Sequence, residues 1–313
     1  MEKLLIITPH MSTGGCPQVV LKKIELLMDT YDIYCIEYSF LSPEYVVQRN
    51  KVISLLGEKF IPLFNNKKLI VESIEKIMPD IIFIEEISET FIEDEFCKFI
   101  YKKGRSWKVI ESTHGSDDES WGKTYLPDKF IFVSEWSRMT YKRLNIPIDV
   151  IEYPVDKKEK LPGMKSKLNL EDDFIHILNV GLFTPGKNQK YIFDIAKTLI
   201  NEKIKFHFIG NLAPNFKDYW QPLLNDKPEN CVVWGEKDNV QEFLMACDLF
   251  FFSSKLELNP LVIKEALEFD IPILMFNLQT YCKTYNNTKN ISFLTGDMQL
   301  DIKKIKDIIY DGQ

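Results

Sequence analysis

Short apolar runs, each followed by a polar or glycine-bearing turn and then an amphipathic stretch, recur along the chain, and this alternation limits the fold more than any other feature. The first instance sets the pattern. Lys3–Thr8 reads as a buried strand, residues 9–16 as a loop, and Pro17 onward as a helix with Val20, Ile24, Leu27 and Tyr31 on one face. Apolar runs at Ile33–Tyr38, Ile81–Ile84, Lys108–Ser112 and Lys129–Val133 follow, with helical patterns between most of them. Around residues 154–170 the pattern breaks into a polar, charged stretch marked by Pro154 and Pro162. It restarts at Ile175–Val180 and continues through Lys205–Ile209, Cys231–Trp234, Leu249–Phe252 and Ile271–Met275. Alternating strand and helix predict an α/β chain with largely parallel sheets. Two such runs of similar size predict two domains, over residues 1–156 and 171–313, joined by a linker over 157–170.

A length of 313 residues gives each domain enough chain to bury its own core. The 39 basic and 46 acidic residues leave a formal net charge of −7, which argues against broad binding to nucleic-acid backbone or anionic lipid but leaves peripheral membrane contact open. No apolar run approaches the roughly 18–20 residues that a spanning helix needs. The apolar stretch at Leu4–Ile7 is too short for a signal sequence. The six cysteines are scattered with no C-x-x-C pair, so neither a zinc knuckle nor a disulfide framework is indicated, and a cytoplasmic protein with reduced thiols is expected.

In parallel α/β sheets, ligands bind beyond the carboxyl ends of the strands, so the loops that follow strands carry the candidate chemistry. In the first, Gly14 and Gly15 precede Pro17 and bring the backbone amides of a helix start within reach of a phosphate, or simply make a tight turn. The second runs from Gly181 to Gln189, where Lys187 could neutralise a diphosphate or be a surface lysine beside a turn. Its spacing approaches that of a P-loop, but Asn188 stands where the magnesium-binding hydroxyl belongs. The third loop, after Leu249–Phe252, runs from Ser253 through Ser254 and Glu257 to Asn259, Pro260 and Leu261, with Asn259 as the expected helix cap. Glu265 follows more than one turn inside that helix. Both carboxylates could hold the hydroxyls of a polyol or simply lie on a solvated face. His114, in the loop after Lys108–Ser112, could act as acid, base or hydrogen-bond donor. His176 and His207 sit within apolar strand patterns and read as satisfied core residues.

Together these loops resemble, in order and over nearly the whole chain, the retaining glycosyltransferases of family 4, which have the GT-B fold. Gly14-Gly15 matches the N-terminal glycine loop, Thr113-His114-Gly115 the middle segment, and Val133-Ser134-Glu135 the start of the next helix. Tyr153-Pro154-Val155-Asp156 resembles the motif before the linker. Gly181–Asn188 resembles the lysine loop, and Glu257 with Glu265 forms the E-x7-E motif. Leu182 replaces the arginine that usually partners the lysine, Leu258-Asn259-Pro260 replaces a glycine-aromatic-glycine stretch, and Asp270 replaces a glycine.

The resemblance implies two Rossmann-like domains facing across a cleft, and transfer of a hexose from a UDP- or GDP-linked donor with retained anomeric configuration. No metal or further cofactor is implied. The acceptor is left open among a glycan, a lipid-linked sugar and a small molecule. The C-terminal domain is expected to bind the donor through Gly181, Lys187, Asn188, Ser254, Glu257, Asn259, Pro260, Leu261 and Glu265. Lys187 is expected on the leaving diphosphate, Glu257 on the donor sugar and Glu265 on the ribose. Gly14 and Gly15 are expected on the phosphates, and His114 near the transferred sugar. A sugar-nucleotide epimerase of related fold and a degenerate, non-catalytic nucleotide-sugar-binding protein are the alternatives.

Overall fold

The computed structural model describes residues 1–12, 14–39, 47–115, 123–140, 145–155 and 159–311. Thr13 of the glycine loop, Asp156 of the motif before the linker, and residues 157 and 158 of the expected linker lie outside them. The described chain forms thirteen strands, all paired in parallel. Seven belong to the first half: β1 (Lys3–Thr8), β2 (Asp32–Glu37), β3 (Phe60–Pro62), β4 (Ile81–Glu85), β5 (Lys108–Thr113), β6 (Lys129–Phe132) and β7 (Ile148–Val150). The second half contributes β8 (Ile175–Val180), β9 (Ile204–Ile209), β10 (Cys231–Gly235), β11 (Leu249–Phe252), β12 (Ile273–Phe276) and β13 (Ile291–Leu294). The strand orders are 3-2-1-4-5-6-7 and 10-9-8-11-12-13. Each sheet therefore runs outward in both directions from its first strand. That reversal creates a switch point between β1 and β4, and another between β8 and β11.

The chain divides into two compact units, Met1–Tyr153 and Pro154–Gln313. In the charged segment before β8, Met164–Lys167 forms a helical turn, and Lys165 pairs with Asp248 at 3.0 Å within the second unit.

The strands follow from their side chains. All four residues of Leu249–Phe252 are buried because helices cover both sheet faces. Alternation sends Leu249 and Phe251 to one core and Phe250 and Phe252 to the other. The first sheet is built alike, with Leu5 and Ile7 in one core and Leu4 and Ile6 in the opposite one. No helix of the described residues is long and apolar enough to cross a membrane.

Candidate functional site

In the C-terminal unit, two sequence-distant loops meet at the switch point between β8 and β11. The loop after β8 turns at Thr184, whose carbonyl accepts the amides of Lys187 and Asn188 at 3.1 Å each, while its Oγ1 accepts the Lys187 amide at 3.2 Å. Asn188 then adopts left-handed backbone (φ 56°), which asparagine tolerates, and leads into the helix Gln189–Thr198. The Gln189 side chain is buried and donates to the carbonyls of Gly181 and Leu182 at 3.3 and 3.0 Å. The loop after β11 is joined to this one. Ser253 Oγ donates to the Lys187 carbonyl at 2.8 Å, and the Lys255 amide donates to the Gly186 carbonyl at 2.8 Å. Lys187 Nζ forms an ion pair with Glu257.

Two glycines make this approach feasible. The aliphatic stem of Lys187 crosses Gly181, where an added Cβ would lie 3.4 Å from Lys187 Cδ. Gly210, after β9, has φ +157°, and a Cβ there would fall 1.9 Å from the Gly181 carbonyl oxygen. The neighbouring loop therefore requires glycine at 210.

Beyond Glu257, Ser254, Leu258 and Pro260 are buried, Asn259 is half-buried, and the helix spans Leu261–Glu268 with Pro260, not Asn259, at its cap. Pro260 has extended backbone (φ −71°, ψ 105°), so the helix begins one residue later than its sequence suggests. Ile263 and Ala266 face the core, while Glu265 is half-buried on the helix flank rather than fully solvated. Tyr281 lies near Glu257, and burial reinforced by that carboxylate pushes its phenol up.

In the N-terminal unit, the helix Gly15–Leu27 begins two residues earlier than expected, with Gly14 at its cap and both glycines exposed. The first-turn amides have no intrahelical acceptors and favour an anion. A buried ion pair steadies the loop leading to them. Glu37 Oε1 accepts the Met11 amide at 2.6 Å, and Arg49 donates to both Glu37 oxygens at 2.7 and 2.8 Å.

His114 follows β5 and is held by a second charged cluster. Its Nε2 bonds Glu85 Oε2 at 2.9 Å, and its Nδ1 contacts the Tyr153 hydroxyl. Glu85 is fully buried at the end of β4, where it pairs with Lys23 and accepts a 2.5 Å bond from Ser112 Oγ. Burial raises the Glu85 pKa, but Lys23 and His114 outweigh it and hold the carboxyl well below its usual range. Burial likewise opposes a charge on His114, yet Cys16 and Glu85 carry it well above the ordinary histidine value. Beside this cluster, Glu111 pairs with Lys123 at 2.7 Å, both side chains being fully enclosed, and accepts the Ser88 amide at 3.2 Å.

The structure thus brings Lys187 and Glu257 into contact, stacks Gly181 beneath the lysine stem, and places Asn188 and Ser254 in the same paired loops. Gly14, Gly15 and His114 lie beyond the carboxyl ends of strands in the other unit. Sequence reading gave no individual role to Thr184, Ser253, Gln189 or Gly210 in one unit, or to Lys23, Glu85 and Tyr153 in the other. One signal was available: Glu85 ends an otherwise apolar strand, where a carboxylate needs a partner to be buried.

The model of the family "Glycosyl transferases group 1" matches residues 163–312. A capsular polysaccharide biosynthesis glycosyltransferase of Staphylococcus aureus, CapH, is 27% identical over 128 residues, which cover 39% of this chain and 35% of CapH. The chain therefore spans about a third of that relative's length. Among solved structures, HepE of Anabaena in complex with UDP and glucose superposes with a TM-score of 0.81 at 15% identity, covering 100% of this chain and 91% of HepE. A glycosyltransferase from Rickettsia africae gives a TM-score of 0.73 at 16% identity, covering 98% and 88%. At these identities the structural likeness establishes the fold: two parallel-sheet α/β domains of the GT-B class.

Proposed function

We propose, for a chain that carries a glycosyl transferases group 1 domain and the fold of solved glycosyltransferases, that it transfers a hexose from a UDP-linked donor to a saccharide acceptor with retention of anomeric configuration. The observation that carries this reading is the pairing of Lys187 with Glu257 at the switch point of the C-terminal sheet. A diphosphate leaving group gathers negative charge as the sugar departs, and a fixed ammonium at a strand end lowers the energy of that transition state. Donor binding exchanges one pairing for two. Lys187 turns from Glu257 to the diphosphate, and Glu257 accepts hydroxyl bonds from the sugar. Glu265, half-buried on the following helix, is assigned to the ribose. In the N-terminal unit the amides of Gly14 and Gly15 are assigned to phosphate oxygens, and His114 to the transferred sugar. The choice of uridine is supported by the ligands of the HepE complexes, UDP-glucose among them. The choice of a saccharide acceptor is supported by the capsular polysaccharide role in the name of CapH. No step requires a resident metal.

The test is UDP release from UDP-glucose, UDP-galactose and UDP-N-acetylglucosamine in the presence of a chelator, with the anomer of the freed or transferred sugar read by NMR. Release of UDP with the donor's anomeric configuration supports the proposal. Inversion overturns retention. Interconversion of the sugar nucleotides without UDP release favours an epimerase.

A further inference from the structure

A helix start and two loops beyond strands of the N-terminal sheet converge on a group of ligand atoms that glycosyl transfer does not explain. Cys16 follows β1, Glu86 follows β4 and His114 follows β5. The Cys16 thiol, a Glu86 carboxylate oxygen and a His114 ring nitrogen lie within 4.8 Å of one another, and all three residues are half-buried. Among the described residues this is the one trio of thiol, imidazole and carboxylate groups so placed. Bonds of about 2.0–2.3 Å to a tetrahedral ion put its ligand atoms about 3.3–3.8 Å apart, so small side-chain rotations would close the trio on an ion.

A second observation concerns the ring's orientation. Nε2 of His114 is committed to Glu85, which is itself fixed by Lys23 and Ser112. A carboxylate bonded to one ring nitrogen is the arrangement that orients a metal-binding histidine and makes its other nitrogen more basic. That other nitrogen, Nδ1, faces the Tyr153 hydroxyl, whose place the ion would take. The Glu86 backbone is held at φ +69°, an uncommon conformation for a glutamate. One of its oxygens, Oε2, accepts the His114 amide at 3.2 Å, which ties the glutamate to the histidine's own loop.

We propose that Cys16, Glu86 and His114 form a site for a thiophilic divalent cation of the zinc class, with water or a ligand hydroxyl in the fourth position. Binding breaks the Cys16 S–H bond and, from the charged ring, the His114 Nδ1–H bond, forms sulfur–metal and nitrogen–metal bonds, and releases the protons to solvent. Resting in addition on the role assigned to His114 above, occupancy withdraws that ring from the sugar and inhibits transfer.

The test is titration of the full chain with cobalt(II) without nucleotide, followed by near-ultraviolet thiolate-to-cobalt charge-transfer absorption. The expected result is one cobalt per chain, a band removed by zinc, loss of the band in Cys16→Ser, and affinity at least about tenfold weaker in Glu86→Gln. Protection of Cys16 from alkylation by zinc, located by peptide mass spectrometry in the unsubstituted chain, reads the same site without substitution. Absence of the band, its persistence in Cys16→Ser, or alkylation of Cys16 unaffected by zinc overturns the proposal. UDP binding, measured separately by calorimetry, distinguishes its failure from failure of the glycosyltransferase reading.

Discussion

Lys187 and Glu257 stand seventy positions apart and neutralise one another. The carboxylate therefore competes with any phosphate for the ammonium. Glu257→Gln removes that competition while also removing the acceptor for sugar hydroxyls. It is expected to bind free UDP as tightly as the parent, or severalfold more tightly, and to lose at least about tenfold in turnover. Calorimetry with UDP and a turnover assay check the two halves. A Glu257→Gln variant that loses UDP affinity contradicts the exchange. Gly210→Ala tests the floor beneath the lysine loop. Its Cβ would collide with the Gly181 carbonyl, so a loss of about 1–3 kcal/mol is expected in denaturant unfolding, together with weaker UDP binding. Sequence reading could identify Lys187 and Glu257 as charges in loops after apolar strands. It could not show that they touch. The roles of Thr184, Ser253 and Gly210 were missed because they depend on neighbours distant in sequence.

At the scale of elements, the long central strands were legible because burial on both faces writes a continuous apolar run. Three strands were not: β3, β7 and β13, of three, three and four residues. Each lies at a sheet edge, where partial exposure removes that signal. The buried histidines of β8 and β9 bear out their reading as satisfied core groups. The Trp234 indole donates to His207 Nδ1 at 3.1 Å, His207 Nε2 and His176 Nδ1 lie 2.8 Å apart, and His176 Nε2 lies 2.8 Å from the Glu171 carbonyl. Only one arrangement of neutral rings satisfies this chain. His207 donates from Nε2, and His176 donates to Glu171.

Burial, with a smaller contribution from His176, lowers the His207 pKa from 6.5 to about 3. Above pH 6.5 both folded and unfolded states leave this ring neutral, and it adds no pH dependence. Below that, the unfolded chain takes up a proton that the folded chain refuses, so stability falls by up to about 1.4 kcal/mol per pH unit towards pH 3. Urea unfolding of the C-terminal unit between pH 7 and 4 should show this slope reduced in His207→Gln. An identical slope in the variant contradicts it.

For the molecule as a whole, the alternating pattern was enough to recover two α/β units, because each sheet is wound outward from its first strand and most crossovers carry a helix among the described residues. The same winding explains why the candidate residues gather in a few loops. Chains leaving adjacent strands in opposite directions open a space at the switch point, and the loops after β1, β4, β8 and β11 border it in their respective sheets. At the third loop the helix starts at Leu261, directly after Leu258-Asn259-Pro260, and Glu257 before them reaches Lys187. The central claim is that the C-terminal unit binds a nucleoside diphosphate through Lys187. Its most direct test is calorimetric titration of UDP into the parent and Lys187→Ala, with and without Mg²⁺. The account predicts metal-independent binding by the parent and a loss of about 1.5–3 kcal/mol in the variant, roughly 10- to 150-fold in affinity, with unchanged thermal unfolding of the unliganded chain. Equal UDP affinity in the two proteins, or binding confined to ATP with Mg²⁺, would contradict it.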